Sequence, residues 1–331
     1  MLIRKTNLRD VKDKWERIYA SNHALTPYSS YSFNDIVQRY YRFGPKRALL
    51  RTKIYEVLDD SQNTIMIIPL YGRGEHYYLM GDLLMTGHLD FIYEEGISNE
   101  AFAQTFTLLR SELKGTKLFL NKISERSKLN DYLRANYTYT KKGICINVRF
   151  GSDFEAYTKS LSKNMRRHIR NMYNRLEREA VHWDVEVIIN TPITNGMKGE
   201  ILKVYNDRAV EKNLNRLGWL FKTVRHHFNP ITVSAAKMEG NFNTILRIDN
   251  ELAAFSSGYV TNDNSTIISP RGAMNSKFSK FSPGLLLDIE TIKWLTRNTQ
   301  ITNLDLSRGN EEYKYALGGE EHYNYYYEIG F

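Results

Sequence analysis

The chain has 331 residues, of which 42% are hydrophobic and 25% charged, and it carries a formal net charge of +9. These are values of a globular protein, and the length fits two domains of ordinary size. No run approaches the ~18 apolar residues of a membrane-spanning helix, and the first residues lack the apolar core of a signal peptide. The single cysteine, Cys145, excludes an internal disulfide. We therefore expect a cytoplasmic protein without a membrane span.

The N-terminal half alternates between helical and strand-like patterns. Apolar side chains at helical spacing predict helices over 8–20, 32–43, 99–114 and 127–136. Runs rich in β-forming residues and bounded by turn signals predict strands over 48–58, 64–70, 76–84, 117–123 and 143–150. Cys145 falls in the last of these strands and is predicted to be buried there.

The C-terminal half broadly repeats that order. It is predicted to hold helices over 154–179, 197–212, 285–297 and 310–316. Strands are predicted over 185–189, 243–248, 252–260, 265–269, 301–306 and 321–329. We interpret the repeated order as a structural duplication, with one domain over 1–150 and a second over 151–331. One large α/β domain with a long N-terminal extension is the alternative.

A basic helix opens the second half. Seven Lys or Arg residues and one acid lie between residues 159 and 178. Lys163, Arg166 and Arg170 are three or four residues apart and share one helix face, away from the apolar positions. Because guanidinium groups suit phosphates, these three residues, together with Arg271, are predicted to bind an anionic acceptor. A solvated charged face is the alternative.

The segment Phe281-Ser282-Pro283-Gly284 leads directly into the helix predicted over 285–297. Serine suits the N-cap and proline the first turn, so a well-capped helix without further function is one interpretation. A helix N-terminus also presents N–H groups and partial positive charge to a pyrophosphate. Gly284 would let a phosphate approach the backbone, and Lys277 and Lys280 would add charge.

The residues that follow carry a family resemblance. Ser282-Pro283-Gly284-Leu285, the run Asp305-Leu306-Ser307-Arg308-Gly309 and the pair Tyr313-Lys314 resemble the C-terminal signature of the CelD/BcsL-like acetyltransferases. That family is a branch of the GNAT superfamily and is similar to the Fem peptidyltransferases. Residues 161–170 resemble the first helix of the same catalytic half, so the likeness covers 157–317. It departs from ordinary GNAT enzymes at 280–284, where their glycine-rich phosphate loop is absent.

This resemblance implies an α/β fold of two tandem GNAT-like domains, each a mixed, mostly antiparallel sheet flanked by helices. The N-terminal domain would be degenerate, and the C-terminal one would carry the active site. The implied reaction is acyl transfer, most simply of acetyl, from acetyl-CoA to an amine or hydroxyl of a sugar or cell-surface polysaccharide precursor. No metal is expected.

The resemblance also implies roles for single residues. The strand over 265–269 would line the pantetheine arm and donate a backbone N–H to the thioester oxygen. Asp305 would be the base and Tyr313 the general acid for the leaving thiolate. Lys314 would join Lys277, Lys280, Ser282 and Gly284 in binding the cofactor. Asp305 as a turn cap, Tyr313 as a packing residue and Lys314 as a surface lysine are the alternatives.

Two other functions remain open from the sequence. One is a Fem-like aminoacyl transferase that uses charged tRNA and a peptidoglycan precursor. The other is a non-catalytic module that binds nucleic acid or another anionic polymer. His226-His227 lacks an acid or a cysteine at metal-ligand spacing, and no Gly-x-Ser-x-Gly motif occurs. These features disfavour zinc and hydrolase chemistry.

Overall fold

The computed structural model describes residues 1–43, 51–82, 86–191, 193–211, 238 and 240–331. The chain forms two compact units. Unit 1 comprises residues 1–145, 261–263 and 322–331, and unit 2 comprises 146–260 and 264–321. The sequence placed the domain boundary at 150 and assigned the last strand to the second domain, whereas residues 322–331 belong to unit 1.

The chain up to residue 149 contains seven strands and four helices in its described part. The strands are β1 (Leu2–Thr6), β2 (Arg51–Leu58), β3 (Thr64–Arg73), β4 (His76–Leu79), β5 (Ile92–Tyr93), β6 (Lys117–Ser124) and β7 (Lys141–Arg149). The helices are α1 (Lys12–Ser21), α2 (Tyr31–Phe43), α3 (Asn99–Glu112) and α4 (Lys128–Asn136). β1 and β5, which are short, were not predicted from the sequence.

The chain from residue 154 onward contains six further strands and five further helices in its described part. The strands are β8 (Trp183–Ile189), β9 (Asn241–Ile248), β10 (Glu251–Val260), β11 (Thr266–Met274), β12 (Asn303–Arg308) and β13 (Gly319–Gly330). The helices are α5 (Phe154–Ser160), α6 (Lys163–Arg178), α7 (Asn195–Glu211), α8 (Pro283–Asn298) and α9 (Glu312–Ala316). The predicted irregular segment 213–230, with His226-His227, lies outside the described residues.

The sheet of unit 1 follows the strand order β1-β2-β3-β4-β6-β13-β7, with β5 paired to β3. β2, β3 and β4 form an antiparallel meander, helix α3 follows, and β6 then runs parallel to β4. The helices bury apolar side chains beneath this sheet, among them Trp15, Phe102 and Leu133.

The sheet of unit 2 repeats the arrangement, with the order β7-β12-β11-β10-β9-β8. β9, β10 and β11 form an antiparallel meander, α8 follows, and β12 runs parallel to β11. Each unit therefore has an antiparallel meander, a crossover helix, a parallel strand and a short helix. This repetition confirms the predicted α/β fold with mixed, mostly antiparallel sheets flanked by helices.

The helix predicted over 154–179 is two helices. Leu161 and Ser162 adopt extended backbone conformations between α5 and α6. The side chain of Asp153 accepts hydrogen bonds from the first turn of α5, and that of Ser162 accepts one from Met165 N in α6. Because each helix has its own cap, the chain can change direction between them. The predicted apolar face is nevertheless buried: Leu161, Met165, Ile169, Met172 and Leu176.

Candidate functional site

The N-terminus of α8 lies in unit 2, directly after a short 3-10 turn over Ser276–Phe281. Pro283 occupies the first turn as predicted. Ser282 occupies the N-cap position as predicted, but its side chain does not cap the helix. Ser282 is in the left-handed conformation, with φ 51 and ψ 53, and makes no cap hydrogen bond. The first turn of α8 thus keeps its partial positive charge without a side-chain acceptor.

The surroundings of Gly284 leave room for a small side chain. A Cβ atom built there would have its nearest neighbour, Met274 Sδ, at 3.8 Å, which is ordinary van der Waals contact. The Ser282 hydroxyl lies 3.4 Å from Nε2 of His168 on α6. The start of α8 is therefore flanked by a histidine that the sequence analysis did not single out.

Lys277 and Lys280 both lie beside the start of α8 and form ion pairs. Lys280 Nζ donates to Glu179 Oε2 at 2.6 Å, and Lys277 Nζ donates to Glu251. The hydrogen bond from each lysine holds the pKa of its glutamate below the ordinary value. Because both ammonium groups are exposed, an incoming phosphate can compete with these carboxylates for them.

The basic helix α6 lies against this region through one edge. Arg175 donates a hydrogen bond to the backbone oxygen of Lys280, which fixes the 3-10 turn against α6. Lys163 and Arg170 are exposed. The Arg166 guanidinium instead donates from Nη1 to Lys159 O and Leu161 O, both at 2.6 Å. It therefore binds the C-terminal carbonyls of α5, as cations near helix ends do.

Among the residues that the structure describes, strand β11 has an open edge next to α8. It pairs in parallel with β12 only from Thr266 to Ile268, although it continues to Met274. The strand was predicted to end at residue 269, directly before Pro270. Proline has no N–H to donate, so it fits a strand where a neighbour has left. Pro270 follows the point where β12 leaves, and the two strands separate there.

Strand β10 carries a β-bulge on the other side of β11. The register of the pair shifts between Ser257 and Tyr259, around Gly258. A Cβ atom at Gly258 would lie 2.4 Å from the backbone oxygen of Ile268. Glycine is required here because the two backbones approach too closely for any side chain.

The end of β12 is a tight polar turn. Asp305 is 5% exposed, and its Oδ1 accepts a hydrogen bond of 2.7 Å from Ser307 N. Ser307 has a positive φ of 54. Asp305 thus holds the turn, and its register partner is Ile268, the last residue of β11 paired with β12. Asp305 therefore lies where β11 and β12 begin to separate.

Lys314 is buried beneath this turn. Its Nζ donates to the backbone oxygens of Leu306, Ser307, Arg308 and Gly309 at 3.0 to 3.4 Å. It also pairs with Glu311 at 3.0 Å. The ammonium group is therefore surrounded by protein oxygens. This arrangement differs from the predicted contact with a cofactor phosphate and from the surface-lysine alternative.

The remaining predicted residues lie in contrasting environments. Tyr313 is 47% exposed on α9, in contrast to the packing alternative. Arg271 was expected in a flexible connection but lies within β11, where it is 4% exposed and stacks over the Tyr205 ring at 5.9 Å. In that position its side chain is buried against the sheet and is not a cation on the surface.

Asp288 is a titratable residue of unit 2 that the sequence did not reveal. Burial raises its pKa to about 7, although the charge of Lys314 acts in the opposite direction. The residue lies in the second turn of α8, where the helical pattern alone marks it as a polar position. Only the packing of α8 shows that this residue is half-buried and that its pKa is raised.

Comparison with known proteins identifies the arrangement. Residues 163–315 match the acetyltransferase (GNAT) domain family. No curated protein sequence matches the chain significantly. None of the helices in the described ranges is long and apolar enough to cross a membrane.

Several solved structures share the fold over nearly the whole chain. FemX has a TM-score of 0.59 at 9% identity and covers 98% of this chain and 97% of its own. The C-terminal domain of a putative lysylphosphatidylglycerol synthetase from Agrobacterium fabrum has a TM-score of 0.58 at 12% identity, with 97% and 92% covered. A tandem GNAT protein from the clavulanic acid biosynthesis pathway has a TM-score of 0.53 at 10% identity, with 99% and 98% covered.

These likenesses establish the fold, and the domain match establishes the class of chemistry. The matched residues run from the basic helix α6 through the start of α8 to α9. They include the open edge of β11 and the Asp305 turn. Residues 163–315 are therefore similar to the GNAT acetyltransferase domain, and the protein is an acyltransferase.

Proposed function

We propose that the protein transfers an acyl group, most simply acetyl, from a coenzyme A thioester to an amine or hydroxyl of a sugar or cell-surface polysaccharide precursor. The observation that carries this proposal is the uncapped start of α8 beside the open edge of β11. A helix N-terminus suits a pyrophosphate, and an unpaired strand edge suits the amide groups of a pantetheine arm.

The donor site is proposed to use the residues around α8. The first turn of α8 and the room at Gly284 would take the pyrophosphate. His168, Lys277 and Lys280 would add polar and cationic contacts at its rim. Backbone N–H groups at the open edge of β11 would stabilise the oxyanion that forms when the acceptor attacks the thioester carbonyl.

The proton transfers are assigned to the end of β12 and to α9. Asp305 lies where β11 and β12 begin to separate and is proposed to accept the proton of the attacking amine or hydroxyl. Tyr313 is exposed at the same end of the domain and is proposed to protonate the departing thiolate. Lys314 is proposed to position both by holding the turn that joins them.

The acceptor site is proposed to use the exposed part of α6. Lys163 and Arg170 have side chains open to solvent and can meet an anionic acceptor. Arg166, predicted for the same role, holds the end of α5 instead. A sugar phosphate or a lipid-linked sugar phosphate has the required charge.

A second candidate is a Fem-like aminoacyl transferase that takes charged tRNA as donor. The exposed basic residues of α6 favour this candidate because a tRNA acceptor end is an extended polyanion. The fold shared with FemX is compatible with it. The two candidates differ in the donor, and a donor-binding measurement separates them.

The experiment is a calorimetric titration of the protein with acetyl-CoA, CoA and a non-hydrolysable charged-tRNA analogue, at low and high salt. Gly284→Trp fills the space at the start of α8, whereas Gly284→Ala adds one carbon at an ordinary contact distance and is the matched control. We expect acetyl-CoA to bind the wild type and Gly284→Ala, and Gly284→Trp to lose at least about tenfold in affinity, which is 1.4 kcal/mol.

Binding of the tRNA analogue alone, with strong salt dependence, would replace the acetyl-CoA proposal by the Fem-like one. Binding of no donor at all would favour the non-catalytic module and contradict both enzymatic proposals. Equal acetyl-CoA binding by all three proteins would show that the donor binds away from α8.

A further inference from the structure

Unit 1 contains a cluster of potential metal ligands that could not be recognised from the sequence. His88, Cys145 and His322 come from the connection before β5, from β7 and from β13. Their exposed fractions are 3%, 1% and 3%. One side-chain nitrogen or sulfur from each lies within 4.8 Å of the other two. The three residues are far apart in sequence and form no motif with metal-ligand spacing. No metal was therefore predicted from the sequence.

The fold of unit 1 holds each of the three residues in place. β13, which carries His322, lies next to β7, which carries Cys145, in the strand order. His88 is fixed by its backbone: its oxygen accepts a hydrogen bond from Thr26 Oγ1 at 3.0 Å, and the next residue, Leu89, bonds to Lys122 O at 2.9 Å. The rings of His88 and His322 stack with centroids 5.2 Å apart and an angle of 19° between their planes.

His88 also has an unfavourable backbone conformation. Its φ is 53, in the left-handed region, where a non-glycine residue costs about 1–2 kcal/mol. The surrounding hydrogen bonds maintain that conformation and direct the imidazole into the interior. Such conformations persist where the neighbouring structure determines them strongly.

A fourth polar residue completes the cluster. Asn324 is 3% exposed on β13, and its Nδ2 donates a hydrogen bond to Cys145 Sγ at 3.2 Å. An N–H donor to sulfur stabilises a thiolate and orients it, as the groups behind metal ligands do. Within the described part of the chain, no group donates to the buried Oδ1 of Asn324. The cluster thus holds a polar atom whose bonding capacity the described protein groups do not use.

We propose that His88, Cys145 and His322 form a buried site for a thiophilic d10 metal ion, Zn²⁺ or Cu⁺. Two imidazoles and one thiolate are the soft and borderline ligands that both ions prefer. Zn–N distances of about 2.0 Å and a Zn–S distance of about 2.3 Å place tetrahedral ligand atoms about 3.3–3.5 Å apart. Because the three ligand atoms lie within 4.8 Å of one another, binding requires the widest pair to close by at most about 1.5 Å.

Charge distinguishes the two ions. One thiolate neutralises Cu⁺, whereas Zn²⁺ leaves a net positive charge that a buried site must offset. Neutral histidine nitrogens can coordinate either ion, whereas the hard Asn324 oxygen suits only Zn²⁺, which would take it as its fourth ligand. The bound ion would tie the connection before β5 to β7 and β13 and stabilise unit 1. This inference does not depend on the acyltransferase site of unit 2.

The test uses full-length protein from which any histidine tag has been removed. The apo protein is prepared with a chelator, reconstituted separately with Zn²⁺, Cu⁺ under reducing conditions and Co²⁺, and desalted before elemental analysis. We expect about one equivalent of Zn²⁺ or Cu⁺ to be retained, and a higher Tm for the loaded protein than for the apo protein. Since Cys145 is the single cysteine, a thiolate-to-cobalt charge-transfer band would report that residue alone.

The variants are Cys145→Ser and His88→Asn. Asparagine tolerates a positive φ, so His88→Asn removes the imidazole while keeping the backbone conformation. His23→Ala, at an exposed histidine of the same unit, is the control. We expect both ligand variants to lose binding by more than tenfold and the control to retain it. Less than a tenth of an equivalent in the reconstituted wild type, or retention by both ligand variants, would overturn the proposal.

Discussion

At the residue scale, hydrogen bonding determines what each polar side chain can do. Arg166 and Arg170 are both exposed basic residues one helical turn apart on α6, yet Arg166 binds two carbonyls at the end of α5. Lys314 is likewise a lysine in a short surface helix whose ammonium group is enclosed by backbone oxygens. Residue type and spacing predicted a cation in each case, but not its partner.

Asp305 offers a test that separates a structural role from a catalytic one. Asp305→Asn keeps an oxygen that can accept the hydrogen bond from Ser307 N but removes the base. If Asp305 is the base, kcat for acetyl-CoA turnover should fall by ~10²–10⁴ with an unchanged KM for acetyl-CoA. The measurement is steady-state CoA release, together with the Tm of both proteins. An unchanged kcat would leave Asp305 as the residue that holds the turn.

Asp288 predicts a dependence of stability on pH. Burial raises its folded-state pKa to about 7, from an ordinary value of 3.8. The folded state therefore holds the proton more tightly, so this residue's contribution falls as pH rises from about 4 to about 7 and is constant above that. Asp288→Asn should leave stability near pH 4 unchanged and raise it at pH 8 by at most about 4 kcal/mol.

The check is urea denaturation of both proteins across pH 4–8. Asp184→Asn, at an exposed aspartate on β8, removes the same charge from a solvated position and serves as the control. If the difference in the free energy of unfolding between wild type and Asp288→Asn did not change with pH, the raised pKa of Asp288 would be contradicted.

At the element scale, the geometry of unit 2 depends on how strands begin and end. β11 could be predicted as a strand, but its length could not, because Pro270 reads as a strand end when the neighbours are unknown. The break between α5 and α6 was missed for a similar reason, since Ser162 is a tolerable interior helix residue and also a good N-cap. Packing determines both the length of β11 and the break between α5 and α6.

Gly258 gives a prediction about the β10–β11 pair. Gly258→Ala places a Cβ atom 2.4 Å from Ile268 O, so the bulge must open or the strands must separate. We expect a loss of about 1–3 kcal/mol in the free energy of unfolding, the usual range for overpacking. Chemical denaturation measures it.

Gly199→Ala is the matched control, because outside the adjoining helix backbone no atom of the described residues lies within 4 Å of the Cβ position on α7. Alanine is the better helix former, and this variant should gain up to about 1 kcal/mol. If Gly258→Ala were as stable as the wild type, the close approach of the two backbones would not constrain the fold.

At the scale of the whole molecule, the duplicated order explains the length of the chain. Each unit contains an antiparallel meander, a crossover helix and a parallel strand, and each buries its own core. The last strand is the exception to a simple tandem, since residues 322–331 complete the sheet of unit 1. That return of the chain supplies His322 and Asn324 to the cluster around Cys145.

The sequence by itself determined the features that depend on local pattern. The buried face of α6 followed from apolar residues at helical spacing, and the start of α8 followed from Pro283 in its first turn. The mixed α/β fold followed from the order of these elements. Such features depend on residues within about two helical turns of each other, so they can be read from the chain directly.

Only the tertiary structure decided which distant residues meet. Contacts between separate elements determine the hydrogen-bond partners of Lys314 and Arg166 and the raised pKa of Asp288. They also determine the cluster of His88, Cys145 and His322. A polar side chain gains or loses its chemistry according to its burial and its hydrogen-bond partners. Those are properties of the packed fold, and no spacing along the chain encodes them.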